Sequence, residues 1–390
     1  MSKIQFEIFK DPKDYKNWNK HIEFAQKTTG FDKNFKLELE NAYTFLKTEL
    51  GKGFLKNQSG SSVHPIINRL ANRTEESFLW FIWLAKSLKQ IKSACNKYDA
   101  LRSKLNKGSD FKAEGLPFIQ IISKFIDTNF EITIEPFKEV KGSDLKIVDL
   151  INNETFYIEV TRLNDSEERI SNRRNYHNIF GELSKPPIKT LFSGKILKSF
   201  DQKRLNEIMI DLKSIKERVS ENELIEYYSN SDIDIAITNL SNEQELMVWS
   251  ESKKYPFLNI ESIDLNFNEI DRIINNKLGN KANQNLNQNN VIIYIPLNPL
   301  FLYLNNPIKS INKIQSKLSQ LKFDNILGVY IQSEIGISTE NKILNYRKHV
   351  YGSRKSVSNY REDFLFIINE NCSKKINQKT LEKIYTVLSS

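Results

Sequence analysis

Lys141-Gly142-Ser143-Asp144-Leu145-Lys146-Ile147-Val148-Asp149-Leu150, then Asn152-Asn153-Glu154, then Phe156-Tyr157-Ile158-Glu159-Val160-Thr161, carries the clearest structural signal in this chain. Apolar and polar residues alternate on both sides of a short Asn-containing loop, the pattern of two strands joined as a hairpin. Alternation sends Ile158 and Val160 to one face and Tyr157, Glu159 and Thr161 to the other. The apolar face is core, so Glu159 stands mid-strand on the opposite side. Asp144 opens the neighbouring strand just after the Lys141-Gly142-Ser143 turn, where it can project beside Glu159. Two carboxylates held side by side repel each other, and a bound divalent cation is the usual relief. Mg²⁺ takes one or two carboxylates and keeps several waters, one of which can attack a phosphodiester.

Working outward, the apolar residues Leu116, Ile119, Ile121, Ile122, Phe125 and Ile126 predict a helix over 115–127, and Glu131 to Pro136 alternates as a strand. A helix followed by three strands opens an α/β or α+β core. The core resumes with a strand at Val291 to Ile295, a helix at Ile308 to Leu321 and a strand at Ile326 to Ile331. Between them, residues 165–290 read as a long insertion. It holds a charged helix from Asp201 to Ile225, short strands at Ile233 to Thr238 and Glu245 to Trp249, and an Asn-, Gln- and Lys-rich tract from Asn275 to Asn290. Its composition predicts a disordered loop. Residues 14–107 read as helical, with Phe35, Leu39, Ala42, Leu46 and Leu50 at helical steps. A third helix from Glu75 through Lys97 is apolar on more than one face, as the buried helix of a bundle is. The expected organisation is a helical domain at 1–108, a core at 109–335 containing the insertion, and a basic extension at 336–390 with a strand at Phe364 to Ile368 and a closing helix.

The 390 residues suggest two domains, or one carrying a large insertion, and 24 Phe, 15 Tyr and 4 Trp can fill a sizeable core. No apolar run is long enough to span a membrane, and the N-terminus lacks a basic head followed by an apolar stretch. A soluble cytoplasmic protein is expected. Cys95 and Cys372 offer neither a disulfide framework nor a zinc pair, and His21, His64, His177 and His349 are never three to five residues apart. Any metal is therefore expected to be a hard cation on carboxylate oxygen. The net charge of +9 favours a polyanionic partner. A Lys-, Asn- and Ile-rich composition of the kind an AT-rich genome writes also raises charge without any binding role.

Asp144, the hairpin spacer and Glu159-Val160-Thr161 together resemble the PD-(D/E)xK nuclease superfamily, the restriction-endonuclease-like fold. Gly142-Ser143-Asp144 stands where that family has Pro-Asp. Lys313 to Leu321 followed by Asn325-Ile326-Leu327 looks like its later core helix and strand. The resemblance covers residues 110–165 and 305–332 and implies a mixed sheet flanked by helices. It also implies Mg²⁺ or Mn²⁺ held by Asp144, Glu159 and the Val160 carbonyl, and an endonuclease acting on DNA as a bacterial defence or restriction component. A partner protein or a homodimer would fit such a role. The chain departs from the family where the lysine two residues after the acid is replaced by Thr161, and a hydroxyl cannot supply positive charge. Lys317, which shares a helix face with Gln320, is the first candidate for that charge, and Lys146 the second.

Around this set, Glu114 is a candidate extra carboxylate. Arg162, Arg173, Arg174, Arg347, Lys348, Arg354 and Lys355 are candidate phosphate contacts. Each residue also has a plainer reading: Asp144 as a turn residue, Glu159 and Thr161 as the solvated side of an edge strand, Lys317 and Gln320 as exposed helix positions. His64 before Pro65 reads as a structural cap, and Trp80 and Trp83 read as core. The competing functions are a catalytically decayed nucleic-acid-binding or scaffolding protein of the same fold, and a nuclease directed at RNA.

Overall fold

The computed structural model describes residues 8–9, 12–55, 64–71, 74–106, 115–126, 128–134, 142–161, 167–184, 190–222, 224–261, 269–297, 307–335, 342–346, 348–355, 361–372 and 376–389. It divides into two compact units, one made of residues 1–163 and 268–390, the other of residues 164–267.

The first unit is built on an eight-stranded mixed sheet. Its strands are β1 (Phe130–Ile134), β2 (Leu145–Asp149), β3 (Glu154–Val160), β8 (Val291–Leu297), β9 (Ile326–Ile335), β10 (Lys342–Tyr346), β11 (His349–Lys355) and β12 (Arg361–Ile368), in the order β1-β2-β3-β8-β9-β12-β11-β10. The expected hairpin forms, with Leu145 opposite Ile158 and Asp149 opposite Glu154. Asn153 makes its turn in the left-handed region, at φ 52°, which Asn tolerates better than most residues. β3, β8 and β9 run parallel to one another, which requires crossovers, and helices supply them.

Six helices precede or open the sheet: α1 (Trp18–Lys27), α2 (Lys33–Leu50), α3 (Pro65–Ala71), α4 (Glu75–Ala94), α5 (Tyr98–Asn106) and α6 (Gly115–Phe125). They do not close a core of their own. Leu46, Phe81 and Leu88 belong to one apolar cluster with Phe156, Ile158, Tyr294, Tyr330 and Phe366 of the sheet and Leu388 of the last helix, α12 (Gln378–Ser389). The expected independent domain at 1–108 is therefore part of the core, because α4 is apolar all round and buries one side on α2 and the other towards α6. The expected extension at 336–390 is part of it too, since β12 pairs with β9 along Arg361 to Ile368. Asp149 accepts hydrogen bonds from Lys383, Thr380 and Asn152 and ties α12 to the end of β2. His64 is the structural cap expected of it, taking the Ile66 N–H on Nδ1 and donating from Nε2 to the Leu105 carbonyl.

The opposite sheet face, with Ile293, Ile295, Val329, Ile331 and Ile367, is covered by Ile270, Ile273, Leu278 and Ala282 and by Ile311, Ile314 and Leu318. The first group belongs to α10, which runs from Glu269–Ile273 through a π-helical turn at Ile274–Leu278 to Gly279–Gln284; the second belongs to α11 (Pro307–Gln320). Burial on both faces explains why β8 and β9 are almost continuously apolar. The Asn275 to Asn290 tract is thus largely helical and belongs to the core, and the insertion ends before it.

The second unit has a four-stranded sheet, β5-β6-β4-β7, of β4 (Leu191–Ile196), β5 (Glu226–Ser229), β6 (Ile233–Thr238) and β7 (Ile260–Glu261). Helices α7 (Glu167–Leu183), α8 (Gln202–Asn222) and α9 (Glu243–Lys253) complete it. Ile179, Phe192, Leu205, Ile208, Leu212, Ile233, Ile235 and Ile237 form its own apolar core. The strand expected at Glu245 to Trp249 is instead part of α9. Leu246 and Ser250 are buried four residues apart, a helical spacing that a five-residue window hides. Among the described residues, no helix is long and apolar enough to cross a membrane.

Candidate active site

Continuing the β2–β3 register one step beyond Leu145 and Ile158 sets Asp144 across from Glu159. The Val160 N–H donates to Asp144 Oδ2 at 2.9 Å and fixes that side chain against the strand. Glu159 is register partner to Ile293, so it lies on the face covered by α10 and α11, and only 1% of it is exposed. β3 is an interior strand between β2 and β8, which removes the reading of Glu159 as a solvated edge residue. Thr161 is buried beside it, its N–H donating to the Tyr294 carbonyl at 2.9 Å.

A lysine does reach this carboxylate, but not a residue singled out in the sequence. Lys281 Nζ sits 2.5 Å from Glu159 Oε1 and 3.2 Å from Gln284 Oε1. The physical reason is strand order. The strand beside β3 is β8, so the helix leading into β8, α10, lies over the site. α11 leads into β9, one strand farther away. Lys317 and Gln320 therefore do not form the predicted site: α11 packs on the same sheet face through Ile311, Ile314 and Leu318, but Lys317 is half-buried and Gln320 exposed. Among the described residues, neither side chain makes an ion pair or hydrogen bond. Lys146, register partner of Tyr157, shares the face of Glu159 as expected and is likewise unpaired.

The tract read as a disordered loop also holds the Asp144 turn. Ser143 donates its N–H to Gln288 Oε1 at 3.0 Å, and its hydroxyl lies 2.8 Å from Asn285 Oδ1 and 2.5 Å from Gln288 Oε1, two acceptors sharing one proton. Asn325 holds the helix end by donating to the carbonyls of Ala282 and Asn285. A signal for this was present: Ile270, Ile273, Leu278 and Ala282 follow helical spacing, and Lys281, Asn285 and Gln288 repeat at four and three residues on the next face.

Burial, and then the negative charge of Glu159, push the Asp144 carboxyl up to about 7; the Val160 N–H, Lys104 and Lys281 pull the other way. Glu159 Oε2 is buried and has no hydrogen-bond partner among the described residues. An orphaned carboxylate oxygen facing a second, strained carboxyl is a donor set suited to one hard cation, whose remaining positions would be water. Among the described residues, no group of three or more His, Cys, Asp or Glu gathers as an all-protein metal cage. Comparison of the chain with family models, curated proteins and solved structures found no match.

The basic residues divide. Arg174, Lys348 and Lys355 are exposed. Arg354 is not available to phosphate on the surface, since it is 5% exposed and paired to Glu362 at 2.6 Å. It faces inward because β11 sets it opposite Glu362 on β12, over the Phe364 ring. Glu114, Arg162 and Arg347, and the side chain of Arg173, lie outside the described residues.

Proposed function

We propose that this chain is a metal-dependent phosphodiesterase acting on nucleic acid, with Asp144 and Glu159 as ligands of Mg²⁺ or Mn²⁺, the Val160 carbonyl beside them, and Lys281 in the role that Thr161 cannot fill. The observation that carries the reading is the Lys281 ammonium seated on a buried carboxylate whose other oxygen is bare. The order of helix, three strands, later helix and strand supports the restriction-endonuclease-like reading of the fold, with α10 and β8 as the later pair.

A bound divalent cation would supply Lewis acidity at a phosphate oxygen. The chain's own residues would do the rest. Lys281 brings a positive charge to where a scissile phosphate gains negative charge, on a helix that sheet packing holds still. Gln284 and Glu159 orient its ammonium. Gln288 and Asn285 hold the Ser143 turn and with it Asp144. A defence or restriction role, and a partner protein or second copy that supplies specificity, follow from the family resemblance.

The test is direct. Purified protein should nick or linearise plasmid DNA with Mg²⁺ or Mn²⁺ and stop with EDTA, and Asp144→Asn should be inactive while melting no lower than wild type. RNA is the second substrate to try. Absence of metal-dependent cleavage of either polymer would leave the non-catalytic binding protein standing.

A further inference from the structure

On the sheet face away from Glu159, the first unit contains a cavity of about 810 Å³, within the size range of small-molecule sites. Its walls come from α4, α6 and the strands β9, β11 and β12. Trp80, Trp83, Gln120, Lys124, Gln332 and Arg354 are the lining residues that matter here. The cations among the lining residues, Lys86, Lys89, Lys124, Arg354 and Lys355, outnumber its carboxylates, Glu38 and Glu362. Lys86 is already paired with Glu38, and Arg354 with Glu362.

The interior is polar where a core would be apolar. Tyr294 donates towards Gln332 Oε1 at 3.1 Å and lies 3.4 Å from Gln120 Oε1. Arg354 also donates to the Leu388 carbonyl and to Tyr330 Oη, which fixes its guanidinium in place and leaves N–H groups to spare. Burial lowers Lys124 to about 8, and the Glu362 charge opposes that shift. Keeping a lysine charged in such a place costs stability, and an anion in the cavity would offset the cost. The rings add a second preference. Trp80 carries the Arg69 guanidinium over its face at 4.7 Å, while Trp83, tilted 48° from it, is half-buried at the wall. One indole is thereby left to stack a planar group.

We propose that this cavity binds a nucleotide, its base against Trp83 and its phosphate at Lys124 and Arg354. The site is separate from Asp144 and Glu159 and does not depend on their being catalytic, because the sheet lies between them.

The experiment titrates the full-length chain with AMP, GMP, CMP and UMP in EDTA, reading tryptophan fluorescence and heat, with adenosine and inorganic phosphate as single-feature probes. At least one monophosphate should saturate, with adenosine and phosphate each about tenfold weaker or more, as expected when charge and stacking both contribute. Lys124→Met and Trp83→Leu should each weaken binding by about tenfold or more, on the scale of one charged hydrogen bond or one stacked base. Lys281→Met should leave it unchanged. Lys124→Met should melt no lower than wild type because it removes a buried charge, so lost binding cannot be blamed on unfolding, and Lys124→Arg should retain part of the affinity. The proposal is overturned if no monophosphate saturates by about 1 mM, a weak limit for a real site. It is also overturned if affinity survives both Lys124→Met and Trp83→Leu, or if adenosine binds as well as AMP.

Discussion

Glu159 is asked to be charged while 1% exposed, and Lys281 meets that demand at Oε1 but not at Oε2. Removing one partner of a buried pair strands the other, at a cost of about 3–5 kcal/mol. Lys281→Met should therefore lower both stability and cleavage, and the two effects can be pulled apart. Adding Glu159→Gln removes the stranded charge, so the double variant should recover much of the lost melting temperature, while cleavage stays at least about a hundredfold down, the scale of one lost charge-stabilising group. Recovery of cleavage along with stability would make the pair structural. Asp144 gives a pH signature with a definite sign. Its folded pKa of about 7 lies above that of a free carboxyl, so the native state keeps a proton the unfolded chain has released. From this group, stability is full below about pH 4 and falls as pH rises to 7. A cation prefers the deprotonated pair, so Mn²⁺ should raise the melting temperature more at pH 8 than at pH 6, and Asp144→Asn should abolish that difference. Equal shifts at both pH values, or a shift that survives Asp144→Asn, would exclude Asp144 as a ligand.

α10 decides at the level of elements what the hairpin alone cannot. Asn285 and Gln288 are buried and spend their amide oxygens on Ser143. Gln288→Ala should leave the Ser143 N–H without its partner, costing about 1–3 kcal/mol by thermal or urea unfolding, and should lower cleavage through the loosened Asp144 turn. A variant that loses stability at unchanged rate would show that the turn does not need the clamp. Asp149 makes the same kind of tie elsewhere, and Lys383 and its hydrogen bonds hold its carboxyl well below the usual range despite burial. The stability from that tie is present above about pH 4 and lost as pH falls below it. These two elements also show where the sequence was readable. β2 and β3 were legible because a strand with one covered apolar face alternates, so Asp144 and Glu159 could be paired without coordinates. α10 was not, because Asn and Gln are common in loops and nothing local says that Asn285 and Gln288 will be buried against Ser143, more than a hundred residues away. β10 and β11 were hidden by charge: Arg354 reads as surface until β12 brings Glu362 opposite it. The placement of the lysine was the same kind of problem. Spacing along a helix can pair Lys317 with Gln320, but which helix overlies β3 is set by strand order, which is long-range.

For the whole molecule, the division of the chain matters more than its length. Ser143, Asp144, Glu159, Lys281, Asn285 and Gln288 all belong to the unit of residues 1–163 and 268–390, and so does the cavity at Trp83 and Lys124. Residues 164–267 have a separate sheet and a separate core, in which Phe192, Leu212 and Ile235 are packed with one another and with Ile179. Its ion pairs are also its own: Asp232 is held by Arg204 and Lys198, and Glu226 by Arg218. These pairs are partly exposed and contribute little each, so the apolar core must carry the stability. A unit of about a hundred residues with one closed core should unfold in a single step. Expressed alone, residues 164–267 should therefore be soluble and melt cooperatively, with a urea m-value towards the lower end of about 1–3 kcal/mol/M, the range for small domains. The same transition should be found in the full chain, alongside a larger one for the remaining residues, and Mn²⁺ should move only the larger. A gradual, non-cooperative melt of the isolated piece would mean that its sheet needs the rest of the chain to form. Movement of both transitions by the metal would mean that the two units unfold as one, and that the segment is part of the machinery around Asp144 and Glu159.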